Sequence, residues 1–179
     1  AMLRRAITGA DTALLSDAGG FIDVTSGTFT LAFAAVGTLG NGWYCYIRNG
    51  GTGDVTLDPN ASETIDGLTS FVMYPGEVRL VQCDGSALRS IVLTSFARTF
   101  TSSGTFTKPP GYQKFGALVW SGGASGAKAA SASATNYEAG AGGGCFPFVL
   151  DASAFGASET ITVGAGGASV TANTTAGNV

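Results

Sequence analysis

The stretch TFTLAFAAVGTLGNGWYCYIRN, residues 28–49, decides the fold. In its first part Phe29, Leu31 and Phe33 alternate with Thr28, Thr30 and Ala32, the two-residue period of a half-buried strand. Its last seven residues, Trp43 to Asn49, are dense in the aromatic and β-branched side chains that favour strands. Alternation there puts Tyr44 and Tyr46 on one face and Trp43 on the other, with the inward face forming core. TLGNG, residues 38–42, carries turn chemistry between the two strands, so a β-hairpin is the expected connection.

The same grammar extends outward. Residues 3–20 read as a lead-in strand or short helix that ends in the turn Asp17-Ala18-Gly19-Gly20, ahead of FIDVTS. Downstream, Val55 and Leu57 alternate in DVTLDP, and the pairs Asp66-Gly67, Pro75-Gly76 and Asp84-Gly85 separate short strands. Turns at intervals of roughly eight to ten residues predict an antiparallel sandwich or barrel. No ten-residue window carries a helical stripe. Pro109-Pro110-Gly111 breaks the sheet, and strands are expected at 104–107 and 114–120. Ser-Gly-Thr-Phe-Thr occurs at both 26–30 and 103–107, but the surroundings do not align, which makes it weak evidence of duplication. The expected architecture is all-β: an antiparallel β-sandwich or barrel-like domain over 3–97, followed by a glycine-rich β/extended domain over 98–179.

Composition narrows the function. Charged residues make up 12% of the chain, against about a quarter in ordinary domains, and 28 of the 179 residues are Gly. Solubility therefore rests on Ser, Thr, Asn and backbone. Nine Lys and Arg scattered through a chain of net charge −3 make no footprint for a phosphate backbone, so no nucleic-acid partner is expected. Apolar windows such as Leu31 to Val36 are too short to span a bilayer, and the start of the chain lacks a signal-peptide layout, so no membrane insertion is expected. Ala1-Met2 reads as a cloning remnant and the chain as an excised, C-terminally truncated fragment. Cys45, Cys83 and Cys145 are widely spaced and read as buried free thiols, with a Cys45–Cys83 disulfide as the alternative.

The chain contains no histidine, which removes the Ser-His-Asp triad, the Cys-His dyad and the H-E-x-x-H zinc site. Its glycines show no G-x-G-x-x-G register and no Gly-Lys-Ser/Thr ending, so they do not cradle phosphate. Gly123-Ala124-Ser125-Gly126 approaches a nucleophile elbow, but Ala127 replaces the last Gly and no base accompanies Ser125. Asp54, Asp58, Glu63 and Asp66 cluster in sequence and could serve a glycosidase or a Ca²⁺ site. The competing reading is turn capping, because all but Glu63 stand within two residues of Gly or Pro. No catalytic residues, metal or cofactor are expected.

Glycine itself supplies the next expectation. Between the strand-like segments KFGALVW (114–120) and CFPFVL (145–150) runs a glycine-rich stretch with little material for a core. Glycine segments can approach one another closely, but ordering them costs on the order of 0.5–1 kcal/mol per residue, so mutual packing or neighbouring chains are required. A rigid glycine platform could display the insert KAASASATNYEA, residues 128–139. Within it Tyr137, flanked by Asn136 and Glu138, has no neighbour able to bury its ring, and these three are the candidate receptor-binding residues.

GTFTKPPGYQKFGALVWSGGASG (104–126), AGAGGG (139–144) and TITVGAGG (160–167) together resemble the glycine-rich domain of bacteriophage tail fibres and tail-tip adhesins. That family shows a Phe-Thr-x-Pro strand, an apolar strand ending in Trp-Gly-Gly, and then glycine clusters. NGGTGDVTLDPNASETIDG (49–67) and YPGEVRLVQCDGSALRSIV (74–92) resemble the β-domain that often precedes it, so the resemblance covers about residues 40–179. Ser121 stands where the family has glycine after the Trp, and the later glycine repeats are missing. The resemblance implies a virion or prophage tail protein, commonly trimeric, that touches a bacterial surface receptor, glycan or outer-membrane protein, alongside other tail proteins. Three roles stay open: non-enzymatic host attachment, a purely structural segment that trimerises and connects, and a polysaccharide depolymerase.

Overall fold

The computed structural model describes residues 2–123 and 142–165. The first strands are β1 (Arg4–Ile7), β2 (Asp11–Ala13), β3 (Phe21–Val24) and β4 (Phe29–Phe33). A one-turn helix, α1 (Val36–Leu39), leads to β5 (Tyr44–Asn49), β6 (Val55–Asp58), β7 (Phe71–Met73), β8 (Val78–Cys83) and β9 (Leu88–Thr94). They build two sheets, in the orders β1-β3-β5-β8-β9 and β2-β4-β6-β7.

The all-β class holds, but the expected hairpin does not form. β4 and β5 lie in different sheets: β4 pairs in parallel with β2 and β6, and β5 pairs in parallel with β3. Each pass of the chain thus lays one strand on each sheet before returning, so 4–58 form a parallel coil rather than an antiparallel sandwich. Antiparallel pairing begins only where β7 joins β6 and β8 joins β5, followed by β9 on β8. The physical reason lies in the connection. Helix α1 ends at Gly40, whose N–H donates to Val36 O at 2.8 Å, and this turn carries the chain across to the other sheet instead of reversing it along β4.

Alternation fills the space between the sheets. Leu31, Leu57 and Phe71 stand in one cross-strand row, as do Phe29, Val55 and Met73, facing Ile22, Val24, Cys45 and Ile47 of the opposite sheet. Trp43 is buried, meets Phe33 edge to face at 6.4 Å, and donates its indole N–H to Leu14 O at 3.1 Å. Gly76 closes the turn before β8 with φ +87°, a conformation open to glycine and strained for other residues.

Two charged side chains lie wholly inside this unit. Arg79 shares a row with Ile22 and Ile47, so the pleat points it inward. There its Nε donates to Glu77 at 2.6 Å, Nη1 to Ser90 Oγ at 2.7 Å and Nη2 to Pro110 O at 2.8 Å. The guanidinium carbon sits 4.6 Å from the centroid of the Phe71 ring. Glu77 also accepts the Tyr74 N–H at 3.1 Å; burial pushes its carboxyl up while Arg79 pulls it back. Beside them an aromatic cluster gathers Tyr74, Phe96, Phe106, Tyr112 and Phe155, and Tyr74 Oη both donates to Thr107 O and accepts from Thr107 N at 2.9 Å.

The remaining strands are β10 (Gly104–Thr107), β11 (Lys114–Trp120), β12 (Cys145–Asp151) and β13 (Ser158–Ile161). β10 and β11 fall at the positions expected from sequence. β10 pairs with β13, and β11 runs antiparallel to β12. Two compact units result: one of residues 2–99, 106–112 and 155–159, the other of 100–105, 113–123, 142–154 and 160–165. The chain passes between the units four times, whereas the sequence reading placed one boundary at 97/98.

Candidate functional site

The most distinctive surface of the first unit is the outer face of its five-stranded sheet. On β5 the exposures alternate, with Cys45, Ile47 and Asn49 inward and Tyr44, Tyr46 and Arg48 outward, as the sequence period requires. Register then aligns outward residues of four strands: Phe21 on β3 opposes Tyr46, Tyr46 opposes Leu80 on β8, and Leu80 opposes Ile91 on β9. The result is an aromatic and aliphatic row across the sheet. Tyr44, 43% exposed, stands at its side with its ring edge to face with Tyr46 at 6.3 Å.

Polar groups flank this row. Arg48 lies over the Phe21 ring at 5.7 Å and donates Nε to Asp23 Oδ1 at 2.8 Å, while Arg4 reaches Asp23 Oδ2 from β1 at 2.7 Å. Asp23 is covered completely by these arginines. Burial alone would push its carboxyl up, but the hydrogen bonds and charges of Arg48 and Arg4 hold it below its ordinary value. Gln82 and Arg89 oppose one another on β8 and β9 beyond Tyr44. Ring faces beside guanidinium and amide donors can stack on an apolar sugar face and hydrogen-bond its hydroxyls. Alternation marks Tyr44 and Tyr46 in sequence; Phe21, Leu80 and Ile91 join them only through register.

A second concavity of about 490 Å³ lies at one end of the parallel coil, lined by Thr28, Gly51, Gly53, Asp54, Pro75 and Arg98 among others. Asp54 and Arg98 form an ion pair there, and Arg98 stacks on Tyr74 at 4.8 Å.

The acids singled out in sequence are not brought together as a pair of reacting carboxylates. Asp54 is paired with Arg98, Glu63 accepts the Val36 N–H with both oxygens at 3.0–3.1 Å, and Asp66 accepts Ser90 N at 2.9 Å and Ser90 Oγ at 2.5 Å. Asp58 ends β6, half-buried. Among the described residues no three His, Cys, Asp or Glu gather as metal ligands, and no helix is long and apolar enough to cross a membrane. All three cysteines are free, so the Cys45–Cys83 bridge is absent. Cys45 and Cys83 are buried, but Cys145 is exposed, because the whole of β12 is exposed. Burial pushes the Cys45 thiol up. Asn136, Tyr137, Glu138 and Ser125 lie outside the described residues.

Comparison of the chain with protein-family models, with curated proteins and with solved structures finds no match.

Proposed function

We infer that the chain is a non-enzymatic attachment module of a bacteriophage or prophage tail fibre, a homotrimer that binds a receptor on the bacterial surface. The observation that carries this reading is the outer row Phe21–Tyr46–Leu80, with Tyr44 exposed beside it and arginines at its margin. A partly exposed aromatic row with polar flanks is the chemistry of a recognition surface. The resemblance of residues 40–179 to tail fibres supplies the biological setting. The acids that a depolymerase would need are instead drawn into ion pairs, a helix cap and a turn, which weighs against that alternative.

The test is saturable binding of the purified chain to a panel of bacterial strains and to their extracted surface glycans, with polysaccharide chain length followed in parallel. Binding to a subset of strains with unchanged polysaccharide is the expected result. Absence of binding to every strain favours the purely structural role, and shortened polysaccharide favours the depolymerase. The structural role has its own supporting observation in the exposed apolar strands β11 and β12 of the second unit.

A further inference from the structure

The β11–β12 ribbon presents a surface that the rest of the chain has little means to cover. Of the seven register pairs between these strands, only Lys114 with Asp151 is charged, the ion pair measuring 3.6 Å. The other six pairs, from Phe115–Leu150 to Trp120–Cys145, carry no charge. Alternation splits them between two faces. One face holds Leu118, Trp120 and Val149, which are 56%, 65% and 66% exposed, with Pro147 and Cys145 beside them.

The size of this surface points to assembly. Seven side chains of the ribbon, Leu118, Val119, Trp120, Phe146, Phe148, Val149 and Leu150, are 41–66% exposed. At roughly 150–250 Å² per large side chain they leave on the order of 700 Å² of apolar surface in water. That exceeds the largest patch of an ordinary monomer, about 300–600 Å², and approaches the roughly 800 Å² each partner buries in a stable interface. A two-stranded ribbon is also marginal on its own in water.

The occupant follows from sequence and backbone. Residues 124–141 and 166–179 contain only Tyr137, Val170 and Val179 as large apolar side chains, too few for the task. The hydrogen bonds Ser121 N to Gly144 O, 2.9 Å, and Ala152 N to Gln113 O, 2.7 Å, set the phase of the ladder. In that phase Leu118 and Pro147 form a non-hydrogen-bonded pair, so the Pro147 nitrogen, which lacks a proton, points to the outer edge of β12. That edge is a poor template for a further strand, which directs association to the faces. An uncharged apolar face matches another like itself. We propose that the face bearing Leu118, Trp120 and Val149 packs against the same face of other copies of this chain. This rests on the homo-oligomeric part of the reading above and identifies the surface that performs it.

The experiment is light scattering on the full chain over a range of concentrations, for the parent, for Leu118→Lys/Val149→Lys and for Ile91→Lys as a control on the first unit. The parent and the control should show a multiple of 17.8 kDa, and the double variant 17.8 kDa. In the parent, Cys145 should react with a thiol reagent several-fold more slowly as concentration rises, a readout that needs no substitution. A parent that is monomeric throughout, with concentration-independent Cys145 reactivity, overturns both the interface and the oligomeric reading. An oligomeric double variant overturns the interface alone and leaves assembly to another surface.

Discussion

Glu77 and Arg79 are both wholly buried and stand two residues apart, joined by a 2.6 Å hydrogen bond from Nε. Arg79 reaches from there to Ser90 and to Pro110 O, so one guanidinium ties β8, β9 and the 106–112 segment together. Removing either partner leaves the other charge in the core, which costs about 3–5 kcal/mol. Glu77→Ala and Arg79→Ala should each lower the urea midpoint by that equivalent, and the double variant should lose clearly less than the sum. Additive losses would mean that the two charges do not support one another.

Asp23 sets the acid limb of stability. Its folded pKa lies below the ordinary value of 3.8, so its contribution is present above that pH and is lost as pH falls through the folded value. Thermal unfolding should therefore fall off below about pH 4, and Asp23→Asn should flatten that limb while costing about 1–3 kcal/mol at neutral pH. The pH dependence of Tm for both proteins is the check.

Glycine at two positions should respond in opposite directions. A Cβ added at Gly53 would meet Gly27 O and Thr28 Oγ1 at 2.3 Å, so Gly53→Ala must displace backbone. A loss of about 1–3 kcal/mol is expected from such overpacking. A Cβ at Gly37, inside α1, meets nothing within 4 Å, and Gly37→Ala should stabilise by about 0.4–1 kcal/mol. Chemical denaturation of the two variants measures both.

Tyr74 holds Thr107 by two hydrogen bonds of 2.9 Å, one given and one received. Tyr74→Phe keeps the ring in the aromatic cluster but leaves the Thr107 amide without that acceptor, at a cost of about 1–3 kcal/mol. Hydrogen exchange at Thr107 should quicken while exchange at Ile47, in the core of the coil, changes only with global stability.

Much of this architecture is legible in the sequence, for identifiable reasons. The period of Phe29, Leu31 and Phe33 marks a half-buried strand wherever it pairs, and Asp66-Gly67, Pro75-Gly76 and Asp84-Gly85 are turns in the fold because glycine at positive φ is a local requirement. Partner choice is not local. The sequence of β4 and β5 is equally suited to a hairpin or to two parallel ladders, and only the path through α1 selects the second. Glu77 and Arg79 read as surface residues, since charged side chains rarely go inside; their i, i+2 spacing on a strand, which places both on one face, is the signal that could have located the pair. The aromatic row needed register for the same reason as the parallel ladders. Tyr44 and Tyr46 share a face by alternation, while Phe21 and Leu80 are brought to them across strands.

The most direct measurement of the attachment reading is the saturation binding curve of the chain on a bacterial strain, parent against Tyr44→Ser/Tyr46→Ser. Both tyrosines point outward, so the double variant should keep the parent's oligomeric mass and nearly its Tm. The account predicts saturable binding by the parent and a loss of about tenfold or more in affinity for the variant, the equivalent of 1.4 kcal/mol or more. Equal binding by the two proteins, or no binding by the parent to any strain, would contradict it.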